Sequence, residues 1–354
     1  MAFPRHVLVS PLNWGLGHAT RCIPVIRYFL NQGSKVSLAS DGNALQLLKD
    51  EFPELEVLEL HSSQVTYSSF GFYFYLKLVL QGIGLQKRAL MDEDLVEAYV
   101  DKHGVDLILS DHRFGAYSKK VRSVILCHQL QFKAGLFSYS SSYFNAKQLN
   151  RFAEVWVPDT DTTPSLSGIL SLSKQVNVPV KRIGVLSRFK TLELEEKIDY
   201  LAVISGPEPL RTQFEEKLIE SFIKLTSKTC VIVRGVYNQD VLQNLPPHLS
   251  VYNHLKSREL NTLICSARIV ICRSGYSSVM DMACLGKTVF FVPTPHQGEQ
   301  EYLADRLEKQ KIAPCSSQKK FKTTDLENLE MYSGFNSEEW PRFPLPAFRQ
   351  TLEA

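Results

Sequence analysis

Short apolar runs alternate with helical patterns along most of this 354-residue chain, and the alternation occurs twice. Strands that alternate with helices form parallel sheets through right-handed crossovers. The sequence therefore predicts an α/β fold with two Rossmann-like domains, 1–160 and 196–330, whose sheets face each other across a ligand cleft. Between them, 161–195 is predicted as a linker with a lead-in strand, and 331–354 as a tail that packs back on a domain.

Charge and cysteine content narrow the class of protein. The net charge is only +3, and no basic run with interleaved aromatic residues occurs, which argues against a nucleic-acid partner. The seven cysteines are scattered and form no CxxC pair, so neither a disulfide framework nor a zinc site is indicated. No signal peptide or membrane-spanning run is recognised, and we expect a cytoplasmic protein.

A turn between a predicted strand, Ala267–Cys272, and a predicted helix, Tyr276–Leu285, indicates an anion site. Ser274 and Gly275 form the turn, and Ser277 and Ser278 place two hydroxyls among the free N–H groups of the helix N-terminus. Such a terminus binds phosphate readily. One turn further on, Asp281 would accept hydrogen bonds from ribose hydroxyls.

A second turn of this kind follows the first strand and contains Gly15, Gly17, His18 and Arg21. The glycines permit a tight turn and a close approach to a ligand. His18 would stand at the start of a helix predicted at Ala19–Gln32, where the dipole keeps the imidazole neutral and able to take a proton. Arg21 would pair with an acid or an anionic ligand.

Two other interpretations of this turn remain open. It is either a structural glycine turn with an exposed histidine, or an incomplete dinucleotide fingerprint. In the second case Thr20 stands where the third glycine belongs, and Asp41 would be the acidic residue after the next strand.

Polar residues at further strand ends complete the candidate site. Ser205 and Gly206 either cradle a diphosphate or form a plain turn, and Gln300 and Glu301 are suited to sugar hydroxyls. Asp111 and His128 either orient His18 or contact the acceptor, unless they are structural. A metal site of His18, His112 and His128 is disfavoured because no pair has i,i+4 spacing on a helix.

The aromatic segment 67–90 ends with Lys87 and Arg88 and is too interrupted to span a membrane. It is predicted either as a core helix or as an interfacial patch that binds a lipid-like acceptor at the membrane surface.

The order of these motifs resembles the GT-B glycosyltransferases, and the most similar type is the MurG-like group with a family 28 C-terminal domain. The resemblance is best over residues 200–313 and 6–32. It implies a donor site for a nucleotide sugar in the second domain, with ribose on Asp281, the sugar on Gln300 and the base near Leu255. Glu301 replaces a second glutamine of that group, which implies that the donor sugar differs from N-acetylglucosamine. The resemblance also places the phosphates on Ser274, Gly275, Ser277 and Ser278.

The resemblance implies an inverting, metal-independent transferase without a cofactor, acting in cell-envelope polysaccharide synthesis. His18 would deprotonate the hydroxyl of a glycan or lipid-linked acceptor, which then attacks a UDP-sugar. The glycine loop is also similar to that of a MurG-related UDP-sugar hydrolase, in which the histidine activates water. The alternatives are therefore a UDP-sugar hydrolase or 2-epimerase, and a non-catalytic nucleotide-sugar binding protein.

Overall fold

The chain divides into two compact units in this computed structural model. The first unit comprises Met1–Leu186 and Arg342–Ala354, and the second comprises Ser187–Pro341. The division falls inside the 161–195 segment, of which the part up to Leu186 lies in the first unit. The structure describes residues 3–61, 89–131, 138–161, 165–236, 240, 242–327, 329–346, 348 and 352.

The first unit is built on a seven-stranded parallel sheet with the strand order β3-β2-β1-β4-β5-β6-β7. Its central strands are buried throughout, as expected for a parallel sheet covered on both faces. The strands are β1 His6–Pro11, β2 Lys35–Ser40, β3 Glu56–Glu59, β4 Leu107–Asp111, β5 Arg122–Leu126, β6 Glu154–Val157 and β7 Val180–Arg182. The helices are α1 Leu16–Asn31, α2 Gly42–Glu51, α3 over the described residues 89–103, and α4 Ser138–Leu149.

Helix α1 begins three residues earlier than the sequence predicts, at Leu16 instead of Ala19. Gly15 is its N-cap, and Gly17 and His18 therefore lie in the first turn. The prediction was wrong because two glycines so close together weaken helix propensity, whereas the packing of the buried face of α1 stabilises the early start.

The second unit is built on a five-stranded parallel sheet with the strand order β10-β9-β8-β11-β12. Phe214, Leu218 and Phe222 lie one turn apart on one helix and are fully buried in its core. The strands are β8 Ile198–Val203, β9 Cys230–Val233, β10 Leu249–Tyr252, β11 Ala267–Cys272 and β12 Val289–Phe291. The helices are α5 Leu210–Ile223, α6 Ser257–Cys265, α7 Tyr276–Leu285 and α8 Gly298–Lys309.

The apolar run in Lys311–Pro314 predicts, from the sequence, a further strand after α8, but the structure has none there, and this prediction was wrong. Lys311 has a φ of 58° and ends α8 in the left-handed region. Pro314 has no N–H to donate to a ladder. Only Cys315 forms a bridge there, to Phe291.

Both sheets reverse their strand order beside their first strand, between β1 and β4 in one and between β8 and β11 in the other. Ligands of open α/β sheets bind at the carboxyl ends of the strands at this switch point. His18, Asp111, Ser205 and Ser274 lie at or just after the ends of these four strands, so the topology brings them to the two switch points. His128, Leu255, Gln300 and Glu301 follow other strands, β5, β10 and β12.

The C-terminal residues contribute to the first unit through aromatic contacts. Phe343 packs edge-on against Tyr28, and Phe348 against Trp156, with centroid distances of 5.3 and 4.7 Å. Among the described residues, we find no helix with the length and apolarity that a bilayer crossing requires.

Candidate active site

The loop between β1 and α1 is fixed by its neighbours on the sheet. Gly15 has a φ of 76° and a ψ of 167°, a conformation that strongly favours glycine. The Asn13 side chain donates to Asp41 Oδ2 over 3.0 Å and accepts from the Ala44 amide over 3.2 Å. Asp41 also forms an ion pair with the buried Arg113. Dinucleotide binding would need the Asp41 carboxylate free to accept from a ribose, so this pairing argues against that interpretation of the loop.

His18 forms a hydrogen bond with Asp111, which is the last residue of β4. His18 Nδ1 lies 2.9 Å from Asp111 Oδ1, and the Asp111 side chain is fully buried. Because a carboxylate only accepts, the bond to Asp111 requires the proton on Nδ1 and leaves the Nε2 lone pair free to take one. Arg21 Nη2, 2.8 Å from the same Nδ1, then acts on the ring through its charge and not as a hydrogen-bond donor. The His18 side chain keeps 16% exposure. The arrangement is that of a general base oriented by an acid.

Arg21 neutralises the Asp111 carboxylate from the next turn of α1. Its Nε donates to Asp111 Oδ2 over 2.5 Å, and its Nη2 forms a second bond to Oδ1. Arg21 Nη1 also lies 3.2 Å from His128 Nδ1. His128 therefore contacts Arg21, and Asp111 is the residue that contacts His18 directly.

Burial and the positive charge of Arg21 lower the pKa of His18 to about 4. The imidazole is therefore neutral at physiological pH, as the sequence predicts, with burial as the largest cause of the lowered pKa and Arg21 the next. Burial opposes ionisation of Asp111, but Arg21 and His18 hold the pKa of this carboxyl well below its usual range.

The same residues form the only group in the described part of the chain whose geometry suits a metal ion. The ligand atoms of His18, Asp111 and His112 lie within 4.8 Å of one another. Arg21 Nη2 is 2.8 Å from His18 Nδ1 and 3.2 Å from His112 Nδ1. A cation bound here would lie beside the guanidinium, so the charges of this cluster fit Arg21 better than a metal ion.

Beside the switch point of the second unit, the ends of β11 and β12 bring polar groups together. Ser274 Oγ, after β11, donates to the Gln300 carbonyl over 2.8 Å, and the amide of Thr294, after β12, donates to Gln300 Oε1 over 2.8 Å. A Cβ on Gly275 would lie 3.8 Å from Gln300 Nε2. The predicted residues Ser274, Gly275 and Gln300 thus form one cluster.

Two helices begin at this switch point without a side-chain cap from their N-cap residue. These residues are Gly275 for α7 and Pro209 for α5. Ser277 and Ser278 lie in the first turn of α7, and Ser205 and Gly206 lead from β8 towards α5. The Glu208 carboxylate already caps α5 by accepting from the Thr212 amide over 3.2 Å, so the dipole of α7 is the one that favours an anion at this edge of the sheet.

Arg273, for which the sequence predicts no role, lies between Ser274 and the end of β11. It is 1% exposed, and its side chain donates to five neutral oxygens. None of the described carboxylates pairs with it. Burial lowers its pKa to about 10, so it keeps its charge at neutral pH. The sequence signal was a charged residue directly after an apolar strand. The five acceptors are the carbonyls of Ser205, Leu210, Val292 and Pro293, and Gln318 Oε1.

Three further residues are predicted to bind the nucleotide-sugar donor, and their environments differ from that of the Ser274–Gln300 cluster. Asp281 accepts a 2.5 Å hydrogen bond from Ser187 Oγ at the start of the second unit. Glu301 Oε1 accepts from the amide of His296, whose φ is 64°. Leu255 is half-buried, three residues beyond β10. The segment 67–90 lies outside the described residues except for its last two positions.

Comparisons with known proteins bear on both units. Residues 218–332 match the model of the glycosyltransferase family 28 C-terminal domain. A protein of Sulfurihydrogenibium sp. (strain YO3AOP1) is 38% identical over 89 residues, which cover only 24% of this chain and 24% of that protein. It is named UDP-N-acetylglucosamine--N-acetylmuramyl-(pentapeptide) pyrophosphoryl-undecaprenol N-acetylglucosamine transferase.

Solved structures similar to the whole chain include the spinosyn rhamnosyltransferase SpnG complexed with thymidine diphosphate. Its TM-score is 0.66 at 15% identity, over 99% of this chain and 100% of that one. MurG of Acinetobacter baumannii has a TM-score of 0.56 at 15% identity, over 99% and 98% of the two chains. These likenesses confirm the predicted GT-B fold, and the family match agrees with the predicted MurG-like glycosyltransferase class.

Proposed function

We propose that this chain, a GT-B fold with a family 28 match in its second unit, transfers a sugar from a nucleotide diphosphate to a hydroxyl acceptor. The observation that carries the proposal is the 2.9 Å contact between His18 Nδ1 and Asp111, which leaves Nε2 available as a base. The family 28 match supports a nucleotide-sugar donor.

His18 is the proposed general base. Its low pKa keeps Nε2 unprotonated at neutral pH, so the whole population is ready to accept the acceptor's proton. Asp111 holds the ring through Nδ1 and stabilises the imidazolium that forms as the proton arrives. Arg21 keeps Asp111 ionised, and His128 contacts Arg21.

The acceptor oxygen then attacks the anomeric carbon in line. The new oxygen–carbon bond forms as the bond between that carbon and the phosphate oxygen breaks, so the anomeric configuration inverts. The nucleoside diphosphate leaves with the electron pair, and the helix N-terminus beyond Ser274–Gly275 stabilises its charge, while Ser205 and Gly206 line the phosphates. This stabilisation requires no metal ion.

The donor is proposed to be a UDP-sugar. The curated relative is named for a uridine diphosphate sugar, and the rhamnosyltransferase structure contains thymidine diphosphate, whose base differs by one methyl group. We place the sugar on Gln300 and Glu301 and the base near Leu255. We place ribose on Asp281, which would exchange its Ser187 hydroxyl for a ribose hydroxyl.

The acceptor is proposed to be a glycan or a lipid-linked saccharide. The name of the curated relative contains a pyrophosphoryl-undecaprenol acceptor, which is a lipid. An enzyme acting on such an acceptor works at a membrane surface, and we therefore propose a cytoplasmic protein with peripheral membrane contact.

The test is to incubate the full chain with UDP- and TDP-sugars, with and without an undecaprenyl pyrophosphate-linked monosaccharide. Released nucleotide is measured by a coupled assay and the products by mass spectrometry. The proposal predicts nucleotide release that depends on the acceptor. Release of free sugar without acceptor would instead identify a hydrolase, and conversion to another UDP-sugar a 2-epimerase. Binding without any turnover would identify a sugar-nucleotide binding protein.

A further inference from the structure

Thr294 has a buried hydroxyl for which the described part of the chain offers no hydrogen-bond partner. The residue lies three positions after β12 and is 2% exposed, and its Oγ1 is unsatisfied. Its backbone amide is held by Gln300 Oε1, so its position is fixed. A buried hydroxyl without a partner destabilises the fold, and such a group in a folded protein calls for an explanation.

The hydroxyl points towards one side of Gly206. A Cβ built on Gly206 would lie 3.5 Å from Thr294 Oγ1 and 3.9 Å from Arg273 Nε, and no other atom would lie within 4 Å. Gly206 has a φ of 118°, a conformation that a residue with a side chain rarely adopts. The side of Gly206 that lacks a Cβ therefore leaves a space the size of one atom, next to a hydroxyl and a guanidinium.

The positive charge of Arg273 beside this space determines which kind of atom is bound there most favourably. A neutral hydroxyl or a water molecule would satisfy Thr294 Oγ1 alone. The charge of Arg273 is balanced by none of the described carboxylates, because its N–H groups all donate to neutral oxygens. A negatively charged oxygen is stabilised by both groups and by the N-terminus of α7, which begins three residues after Arg273.

We infer that Thr294 Oγ1 and Arg273 form an oxyanion subsite beside Gly206 for a phosphoryl oxygen of the donor diphosphate. This inference rests on the proposed function. The hydroxyl donates the hydrogen bond directly, and Arg273 acts through its charge as a positioning residue. Negative charge on the diphosphate grows as the sugar leaves, so the subsite binds the leaving group more strongly than the intact donor and raises kcat.

The matched variants are Thr294→Val, which replaces the hydroxyl with a methyl group, and Thr294→Ser, which keeps it. UDP and uridine are titrated calorimetrically into both variants and the wild type. We expect Thr294→Val to weaken UDP binding about tenfold, to leave uridine affinity unchanged, and to lower kcat. Thr294→Ser should restore UDP affinity. Because the hydroxyl has no internal partner, the Tm of ligand-free Thr294→Val should equal or exceed that of the wild type.

Two results would overturn the subsite while the proposed function stands. One is a Thr294→Val variant that binds UDP as tightly as the wild type. The other is a lower Tm of that variant with equal losses of UDP and uridine affinity, which would indicate a structural hydroxyl. If the wild type binds no nucleotide, the proposed function fails. Inorganic pyrophosphate then tests the subsite alone, and binding that Thr294→Val does not weaken, or no binding, overturns it.

Discussion

Each switch point contains a buried arginine, and the two arginines have opposite surroundings. Arg21, in the first unit, is paired through two hydrogen bonds with the buried carboxylate of Asp111. Arg273, in the second unit, donates only to carbonyl and amide oxygens. The Arg21–Asp111 pair is balanced in charge and lies beside the neutral imidazole of His18. Arg273 retains a positive charge, so we propose that the same topological position serves proton transfer in one unit and anion binding in the other.

The N-caps at the two switch points differ as well. Gly15 begins α1 with a φ of 76°, whereas Gly275 begins α7 with a φ of −65°, which any residue adopts. The glycine of the first unit is therefore required by its backbone. The glycine of the second unit has no such requirement, and we propose that its missing side chain lets the donor phosphates approach the backbone.

The largest effect is expected from His18→Asn. Loss of a positioned general base lowers kcat by about 10²–10⁴-fold, whereas the Kd for UDP should stay within about twofold, because a titration of UDP reports the second unit. His103→Asn, at a partly exposed histidine of the same unit, is the control and should keep full activity. If His18→Asn also lost affinity for UDP, the first switch point would contribute to nucleotide binding, and the two switch points would not have separate roles.

Arg21→Met should destabilise the fold by about 3–5 kcal/mol, because it leaves the Asp111 carboxylate buried without its main partner. Chemical denaturation measures this loss of unfolding free energy. Arg27→Met, on the same helix, removes a partly exposed pair with Glu51 and should cost under about 1 kcal/mol. If both variants lost the same unfolding free energy, Arg21 would not be the main partner that compensates the buried charge of Asp111.

The stability of the first unit should depend on the protonation of His18. Its pKa is near 4 in the folded protein and near 6.5 when unfolded, so the folded state favours the neutral ring. The resulting stability is complete above pH 6.5 and is lost as the pH falls towards 4, by about 3 kcal/mol. The difference in unfolding free energy between the wild type and His18→Asn should shrink over this range. A constant difference from pH 7 to 4 would contradict the assigned pKa.

The smallest effect is expected from alanine at the two N-cap glycines. Gly15→Ala meets no atom within 4 Å, so its cost is backbone strain alone, about 1–3 kcal/mol. Gly275→Ala should change the unfolding free energy by under about 1 kcal/mol and yet weaken UDP binding. Thermal unfolding and UDP titration of both variants test this contrast. A larger loss of stability in Gly275→Ala than in Gly15→Ala would contradict the view that the backbone conformation requires glycine at position 15 alone.

The sequence predicts the alternation of strands and helices, and with it both parallel sheets and the strand ends where site residues gather. His18, Asp111, Ser274 and Gln300 were found this way, because parallel strands end at one edge of a sheet. The pairing of Arg21 with Asp111 joins residues 90 positions apart, and no local pattern specifies it. Asp281 and Ser187 are likewise 94 positions apart, so no local pattern predicts their contact.

Other features depend on packing that a sequence does not display. The unsatisfied hydroxyl of Thr294 is visible only once the surrounding backbone is placed, since threonine after a strand usually finds a partner. The early start of α1 reflects tertiary packing that outweighs local propensity. The lack of a carboxylate partner for Arg273 likewise follows from the arrangement of the loops after β8, β11 and β12.

The most direct test of this account is a calorimetric titration of UDP into the wild type, Arg21→Met and Arg273→Met. The titration is run at low temperature, after circular dichroism has shown that each variant is folded. Arg21→Met should bind UDP with an affinity within about twofold of the wild type. Arg273→Met should bind UDP at least about tenfold more weakly than the wild type. Equal losses in both variants, or full affinity in Arg273→Met, would contradict the assignment of anion binding to the second switch point.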